Sequence, residues 1–240
     1  MITIGFFSDV HGNLAALEAV LLDLRSKGVS RLYCLGDLVG YGPDPNEVID
    51  LIQAEDIRTV LGNYDDGVGF ERGSCGCFYA DSEAERIGTA SYEFTVRTVT
   101  ADRKEYLRGL PHEMRPRVEG YSLHLVHGSP RKINEYLLPQ RESRTFERIA
   151  AAEEADILVF GHTHVPWHRV YGGVYFVNVG SAGKPSDGDP RAAYTLLRLD
   201  AGQEAQVDEV RVEYDVERTA ERILSVGLPP ELAAKIRHGG

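Results

Sequence analysis

Cysteines, tryptophan and long apolar runs are scarce in this chain. Its 240 residues contain three cysteines, an odd number that does not suit the disulfide framework of a small secreted domain. No segment approaches the roughly 20 apolar residues that cross a bilayer. Residues 1–10, MITIGFFSDV, lack the basic start of a secretion signal and predict a first strand. We therefore expect a cytoplasmic protein that neither spans nor binds a membrane.

Positive charge is also scarce. The chain has 26 Lys and Arg residues against 37 Asp and Glu residues, which gives a formal net charge of −11. Broad, sequence-independent nucleic-acid binding requires basic residues that neutralise phosphates, so we do not expect this function. A phosphate-containing substrate is still compatible with the charge, because bound divalent cations can reverse the local field of an acidic site.

Hydrophobic periodicity predicts an α/β fold. The apolar, strand-like runs are 2–8, 31–35, 57–61, 121–126 and 156–160. Amphipathic helical patterns at 13–28 and 44–55 separate the first three runs, so the sheet should begin with parallel strands joined by right-handed crossovers. Further helical segments are 81–109, 143–155, 215–226 and 229–238, with a hairpin at 168–180 and strands at 191–198 and 205–213. No repeat or linker divides the chain, and we expect one domain over residues 1–240.

Each of the first five predicted strands ends in side chains that can bind a metal. The seven candidates are Asp9, His11, Asp37, Asn63, His127, His162 and His164. Any one of them alone would be an ordinary turn residue. Together they point to one crevice, because ligands of open α/β sheets bind at the carboxyl ends of the strands. Carboxylate, amide and imidazole ligands without thiolate favour Mn, Fe, Ni, Co or Zn, and seven ligands favour two ions that share a carboxylate.

These motifs, in this order, resemble the calcineurin-like metallophosphoesterases. The series is D-x-H, G-D, G-N-x-[DE], H-G and G-H-T-H, and it spans residues 9–164. The resemblance implies a four-layer αββα sandwich with two mixed β-sheets and helices on the outer faces. The short chain and the segment NVGSAGKPSDGDPRAAY favour the smaller prokaryotic phosphodiesterase branch.

The resemblance also implies the arrangement of the metal centre. Asp9, His11 and His164 would hold one divalent ion, and Asn63, His127 and His162 would hold the other, with Asp37 as the bridge. Mn is the expected ion. The implied reaction is hydrolysis of a phosphodiester, in preference to a monoester, by in-line attack of a metal-bridging hydroxide on phosphorus. The expected substrate is a phosphorylated small molecule or a nucleotide-type compound.

One position departs from the commonest family pattern. Many members have a histidine after the asparagine, where it is thought to assist the leaving group, but this chain has Tyr64. A phenol with an ordinary pKa of about 10 is a poor proton reservoir at pH 7, although it can donate a hydrogen bond. We therefore expect the best substrates to have leaving groups that need little protonation, such as aryl groups. We expect Asp37, Asn63, Tyr64 and Asp65 at the reacting centre, with Asp65 supporting its neighbours.

Several residues are weaker candidates for contact with substrate. Lys184 and Arg191 lie in or next to the Gly-rich segment 178–190, and Ser129 and Arg131 follow His127 directly. Exposed connecting loops explain these positions equally well. Cys75 and Cys77, in GSCGC, are either a metal or redox site or a coincidence within a loop, and no second cysteine pair completes a zinc site.

Two other functions compete with this interpretation. A scaffold or regulatory protein can keep this fold without chemistry, as the retromer subunit that resembles the family illustrates, and Tyr64 keeps this alternative open. A dinucleotide-binding fold is disfavoured because the first strand-to-helix turn, SDVHGN, lacks G-x-G-x-x-G. A homo-oligomer is compatible with the sequence.

Overall fold

Eleven strands and eight helices make up the computed structural model, which describes residues 1–240. The strands are β1 (Ile2–Phe7), β2 (Arg31–Cys34), β3 (Arg58–Thr59), β4 (Glu113–Met114), β5 (Arg117–Val118), β6 (Tyr121–Val126), β7 (Ile157–Phe160), β8 (Trp167–Tyr171), β9 (Val174–Asn178), β10 (Ala192–Leu199) and β11 (Gln206–Val212). The helices are α1 (Leu14–Ser26), α2 (Pro45–Ala54), α3 (Asn63–Gly69), α4 (Ser82–Thr98), α5 (Ala101–Arg108), α6 (Ser143–Ala152), α7 (Val216–Ser225) and α8 (Pro230–His238). None of these helices combines the length and apolar character needed to cross a membrane.

The strands form two mixed sheets. The first has the order β11-β10-β1-β2-β3, in which β1, β2 and β3 run parallel and β10 is antiparallel to β1. The second has the order β4-β6-β7-β9-β8, with β5 also paired to β6. In it β6, β7 and β9 run parallel, whereas β8 and β9 form the hairpin predicted around Gly172 and Gly173. The predicted α/β fold with two mixed sheets is confirmed.

Alternation of side chains along β1 explains the layers. Phe6 points into an apolar core between the two sheets, where Val159 of β7 also lies. Its neighbour Phe7 points to the other side and packs in an outer core that includes Leu17 of α1. Phe146 of α6 forms a further core against the second sheet. The sheets therefore face each other, with helices on their outer faces.

The helical segment predicted over 81–109 is two helices. Val99 has an extended backbone with ψ 122°, and Thr100 caps the next helix. The side chain of Asn46 holds this break, because its Nδ2 donates to the carbonyl of Thr98 at 2.9 Å and its Oδ1 accepts from the N–H of Thr100 at 3.3 Å. A contact from α2, distant in sequence, thus ends a helix that local periodicity would continue.

Candidate metal centre

The structure brings the seven predicted ligands together where the strands end. They follow β1, β2 and β3 of the first sheet and β6 and β7 of the second. All seven side chains are buried, with exposed fractions of 8% or less. Because both sheets present the carboxyl ends of these parallel strands at one edge, residues from both halves of the chain meet there.

Asp9, His11 and His164 form the first group of ligand atoms, all within 4.8 Å of one another. The Nε2 atoms of His11 and His164 are 3.0 Å apart, although 153 residues separate them in sequence. Oδ1 of Asp9 lies 3.3 Å from Nε2 of His164 and has no hydrogen-bond donor. Three electron-pair donors thus face a common point.

Asp37, His127 and His162 form the second group, under the same limit of 4.8 Å. Nε2 of His127 lies 3.4 Å from Oδ2 of Asp37 and 3.0 Å from Oδ1 of Asn63. Asp37 also reaches the first group, since the same oxygen is 3.8 Å from Nε2 of His11. Asp37 therefore lies close to both groups, and Oδ1 of Asp9 is likewise 4.0 Å from Nε2 of His127.

Backbone carbonyls orient three of the histidines. Nδ1 of His11 donates to the carbonyl of Val39 at 2.9 Å, and Nδ1 of His127 donates to that of Leu35 at 2.7 Å. Nδ1 of His164 donates to the carbonyl of Lys184 at 2.7 Å. A carbonyl only accepts, so Nδ1 of each of these rings carries a proton and Nε2 faces the cluster. Metal-binding histidines commonly have this outer hydrogen bond.

Five of the seven residues have a left-handed backbone. The φ angles are 55° at Asp9, 50° at His11, 55° at Asp37, 66° at His162 and 60° at His164. Such angles are uncommon for residues other than glycine and cluster at functional sites. The tight turns after β1, β2 and β7 thereby direct successive polar side chains into the crevice.

Helix α3 begins at Asn63 and places several polar groups at once. The amide Nδ2 of Asn63 donates to the carbonyl of Cys75 at 3.0 Å, which leaves Oδ1 facing His127. Asp65 is fully buried, and its carboxylate accepts from the backbone N–H groups of Asp37, Leu38 and Gly62 at 2.8, 2.9 and 3.1 Å. Burial, followed by the charge of Asp37, raises the pKa of Asp65 to about 7.

The histidines differ in their affinity for protons. Burial, with the neighbouring His164, lowers the pKa of His11 to about 4, and burial with His127 lowers that of His162 to about 3. Burial also disfavours the charge on His127, but the adjacent Asp37 raises its pKa to about 10. At neutral pH His11 and His162 are therefore neutral bases, the form that binds metals.

The groups open into a cavity of about 140 Å³ that is rich in aromatic side chains. Tyr41, Tyr64 and Tyr136 line it together with Lys184. The hydroxyl of Tyr64 is buried and makes no hydrogen bond. Nζ of Lys184 lies 4.7 Å from the centre of the Tyr41 ring and has no carboxylate partner. Burial, followed by repulsion from Lys235, lowers its pKa to about 8.

Three of the predicted substrate-contact residues do not line the cavity of the metal centre. Arg191 does not line this cavity, because the loop before it packs on the C-terminus, and its guanidinium pairs with Asp189 at 2.7 Å. Ser129 and Arg131 bond to Glu135 and do not line it either. The loop after His127 thus directs these two side chains towards Glu135.

Some residues that line the cavity of the metal centre were not predicted from the sequence. Tyr41 and Tyr136 lie four and nine positions after predicted ligands, but the periodicity of the sequence does not show that they face the crevice. Cys77 lines the cavity too, with Sγ 3.2 Å from Nδ2 of Asn63, and it forms a disulfide with Cys75. Among these lining residues, only Cys77 belonged to a motif that the sequence analysis had noted, the pair Cys75 and Cys77.

A sandwich of two mixed sheets with buried acidic and histidine ligands at one edge defines a class, and comparison with known proteins gives the same class. The family model of the calcineurin-like phosphoesterase superfamily domain matches residues 2–202. The chain belongs to this superfamily, and the resemblance seen in its motifs is confirmed.

Individual relatives span nearly the whole chain. A crystal structure of a metallophosphoesterase from Sphaerobacter thermophilus is 31% identical and superimposes with a TM-score of 0.79, covering 100% of this chain and 99% of that one. The uncharacterized protein MJ0912 of Methanocaldococcus jannaschii is 30% identical over 97% of this chain and 96% of its own. Phosphodiesterase YfcE of Escherichia coli (strain K12) is 28% identical over 83% of this chain and 89% of its own.

Proposed function

We propose that this protein is a dinuclear metal-dependent phosphoesterase that acts on phosphodiesters in preference to monoesters. The observation that carries the proposal is the pair of ligand groups, joined by Asp37, in a chain of the calcineurin-like superfamily. The name of the relative YfcE supports the preference for diesters. The substrate would be a small phosphorylated compound. A hydroxide would attack its phosphorus in line with the departing oxygen.

The residues present fit two divalent ions. Oδ1 of Asp9 and Nε2 of His162 are buried without a hydrogen-bond partner, a costly state for polar atoms unless a further group binds them. Asp9, His11 and His164 would hold one ion, and Asn63, His127 and His162 would hold the other, with Asp37 shared. Two such ions would lower the pKa of a bound water and neutralise charge on phosphoryl oxygens. Carboxylate, amide and imidazole ligands suit Mn, Fe, Ni, Co or Zn, of which Mn is the ion proposed.

Two side chains that line the cavity would contact the substrate. Lys184, a cation without a carboxylate partner, would bind a non-bridging phosphoryl oxygen. The unpaired hydroxyl of Tyr64 would donate a hydrogen bond to the departing oxygen.

The closing helices α7 and α8 would complete one domain over residues 1–240, since Thr219 donates to Oδ1 of Asn13 at 2.8 Å.

Metal analysis and hydrolysis assays test the proposal together. Metal content is measured for the wild type and for Asp37→Asn, and each is assayed with bis(4-nitrophenyl) phosphate and 4-nitrophenyl phosphate in the presence of Mn²⁺. We expect about two ions per chain, faster hydrolysis of the diester, and a loss of at least about 100-fold in the variant, because even residues that only support ligands contribute 10- to 100-fold. Asp66→Asn, outside the cavity, is the matched control.

Other outcomes would redirect the assignment. A protein that binds about one ion or none, and whose activity is unchanged by Asp37→Asn, would support the scaffold alternative. Faster hydrolysis of the monoester would retain the metal centre and overturn the preference for diesters.

A further inference from the structure

A second cavity lies beside the candidate metal centre and shares one side chain with it. Its volume is about 490 Å³, and the residues that line it are Arg131, Lys132, Asn134, Glu135, Tyr136 and Arg141. Tyr136 also lines the cavity of the metal centre, where its ring packs 4.1 Å from that of His162 between centroids. Tyr136 therefore places the second cavity, which we call the Arg131–Arg141 cavity, next to the cavity of the metal centre.

Positive charge predominates in this cavity. Its lining contains three cationic side chains and a single carboxylate, that of Glu135. Glu135 accepts from Nε of Arg131 at 2.9 Å and from NH1 of Arg141 at 3.1 Å. Lys132 has no acidic partner. The lining thus has two positive charges in excess, on a protein whose formal net charge is −11. A local field opposite in sign to the whole molecule attracts anions selectively to this position.

The two guanidinium groups are held in place before any ligand binds. Ser129 donates its hydroxyl to Glu135, which in turn positions both guanidinium groups. Nδ2 of Asn134 donates to the carbonyl of Gly76 at 2.8 Å and ties this loop to the segment that carries Cys77. Ordering a loop or a long side chain on binding costs free energy, so this preorganisation favours affinity. Planar guanidinium groups match the oxygens of phosphate.

We propose that the Arg131–Arg141 cavity binds a second phosphate group of the substrate. The substrate class is then a phosphodiester in which one organic substituent carries a further phosphate. Lys132 and the two arginines select this class by binding the second phosphate, while the diester phosphorus lies at the metal centre. This inference rests on the proposed function, because it names the substrate of the same site.

Two chromogenic substrates that differ only in the second phosphate test the inference. They are thymidine 5′-(4-nitrophenyl phosphate) and the same compound with a 3′-phosphate. The leaving group is identical, so any difference reports binding of the added group. The wild type, Lys132→Ala and Arg144→Ala are compared. Arg144 is an exposed residue of α6 that does not line the cavity, so its variant controls for the loss of one positive charge.

We expect the 3′-phosphate to lower KM in the wild type, and Lys132→Ala to raise KM for this substrate by about fivefold, the size of an exposed ion-pair contact. Neither kcat nor KM for the plain diester should change, which also shows that the variant is folded. Arg144→Ala should behave as the wild type.

Equal KM values for the two substrates in the wild type, or equal effects of Lys132→Ala on both, would overturn the inference. So would inhibition of plain-diester hydrolysis by free sulfate that Lys132→Ala abolishes, if KM for the 3′-phosphate compound stays unchanged, because the cavity would then bind a separate anion. Absence of hydrolysis of both substrates by the metal-loaded wild type would instead contradict the proposed function itself.

Discussion

Oδ2 of Asp65 accepts a hydrogen bond from the backbone N–H of Asp37 at 2.8 Å. The same two segments also form a hydrogen bond in the opposite direction, in which Oδ1 of Asp37 accepts from the N–H of Tyr64 at 2.8 Å. The loop after β2 and the first turn of α3 therefore fix each other. This contact directs the other carboxylate oxygen of Asp37 towards His11 and His127.

Replacing Asp65 with Asn should destabilise the protein and weaken metal binding. An amide in this position presents an N–H group to backbone donors, so at least one hydrogen bond to a buried carboxylate is lost, at a cost of about 1.5–3 kcal/mol. Urea unfolding and metal content check both effects. Asp66→Asn is the control, because Asp66 pairs only with Arg72 near the surface and should change stability by less than about 1 kcal/mol. Equal stability and metal content in Asp65→Asn and the wild type would show that the contact has no role.

Tyr64 should make the hydrolysis rate depend on the leaving group. A buried phenol, whose pKa is raised well above its ordinary value by burial, donates a hydrogen bond but does not deliver a proton at neutral pH. We expect the rates of the wild type to fall steeply as the pKa of the leaving group rises across a series of aryl and alkyl diesters. Tyr64→His should flatten this dependence. A flat dependence in the wild type, with the chemical step rate-limiting, would contradict this role.

Substitution of Lys184 with Met should reduce kcat/KM for phosphodiesters by about 10-fold, the size of one charge-assisted hydrogen bond to phosphate. Met keeps an unbranched side chain of similar length, which preserves packing on the ring of Tyr41. Steady-state kinetics and metal content are measured together, since an intact metal content shows that the backbone carbonyl of residue 184 still orients His164. Lys27→Met, on the exposed end of α1, should leave kcat/KM unchanged. A wild-type value in Lys184→Met would remove Lys184 from the substrate contacts.

Gly40 is expected to tolerate no side chain. Its φ is +95°, and an added Cβ would overlap the ring of Tyr64. Gly73 also has a positive φ, +83°, but an added Cβ there meets no atom within 4 Å. Gly73→Ala should therefore cost only the backbone strain of about 1–2 kcal/mol, whereas Gly40→Ala adds about 1–3 kcal/mol of overpacking. Urea unfolding of both variants measures the difference, and equal losses would show that Tyr64 moves without cost.

The contact of Glu153 with His124, away from the metal centre, should make the stability of the protein depend on pH. Its ring nitrogens lie 2.7 Å from carboxylate oxygens of Glu113 and Glu153. Burial disfavours the charge on Glu153, but the hydrogen bond from His124 lowers its pKa below the ordinary 4.5. A lowered carboxyl pKa in the folded state stabilises the protein above pH 4.5, and this contribution is lost as the pH falls through the folded-state pKa.

Glu153→Gln should accordingly reduce the free energy of unfolding at pH 7 by about 1–3 kcal/mol, with a smaller difference from the wild type below pH 4.5. Chemical denaturation at both pH values checks the sign. Glu154→Gln, at the exposed neighbouring position, should match the wild type at each pH. A difference that grows towards low pH would reverse the argument.

Much of the fold follows from local sequence. Continuous apolar runs located β1, β2, β6 and β7 to within a few residues, because strands covered on both faces need not alternate. Amphipathic periodicity located α1 and α2, because each of these helices buries one face. The edge strands β4 and β5, two residues each, were missed since so short a segment has no period. Helix α3 was missed because its first turn is polar and serves the site.

The sequence by itself determined which side chains stand at the strand ends, and their chemistry, since parallel strands separated by helices bring carboxyl ends to one edge. Only the tertiary structure decided that Nε2 of His11 meets that of His164, that Tyr136 lines two cavities, and that Arg191 pairs with Asp189 away from the metal centre. Those positions depend on loop backbones, including left-handed turns at Asp9 and His162, which are set by contacts between segments far apart in the chain. Periodicity records which face of an element is buried, but it holds no information on how an irregular loop turns.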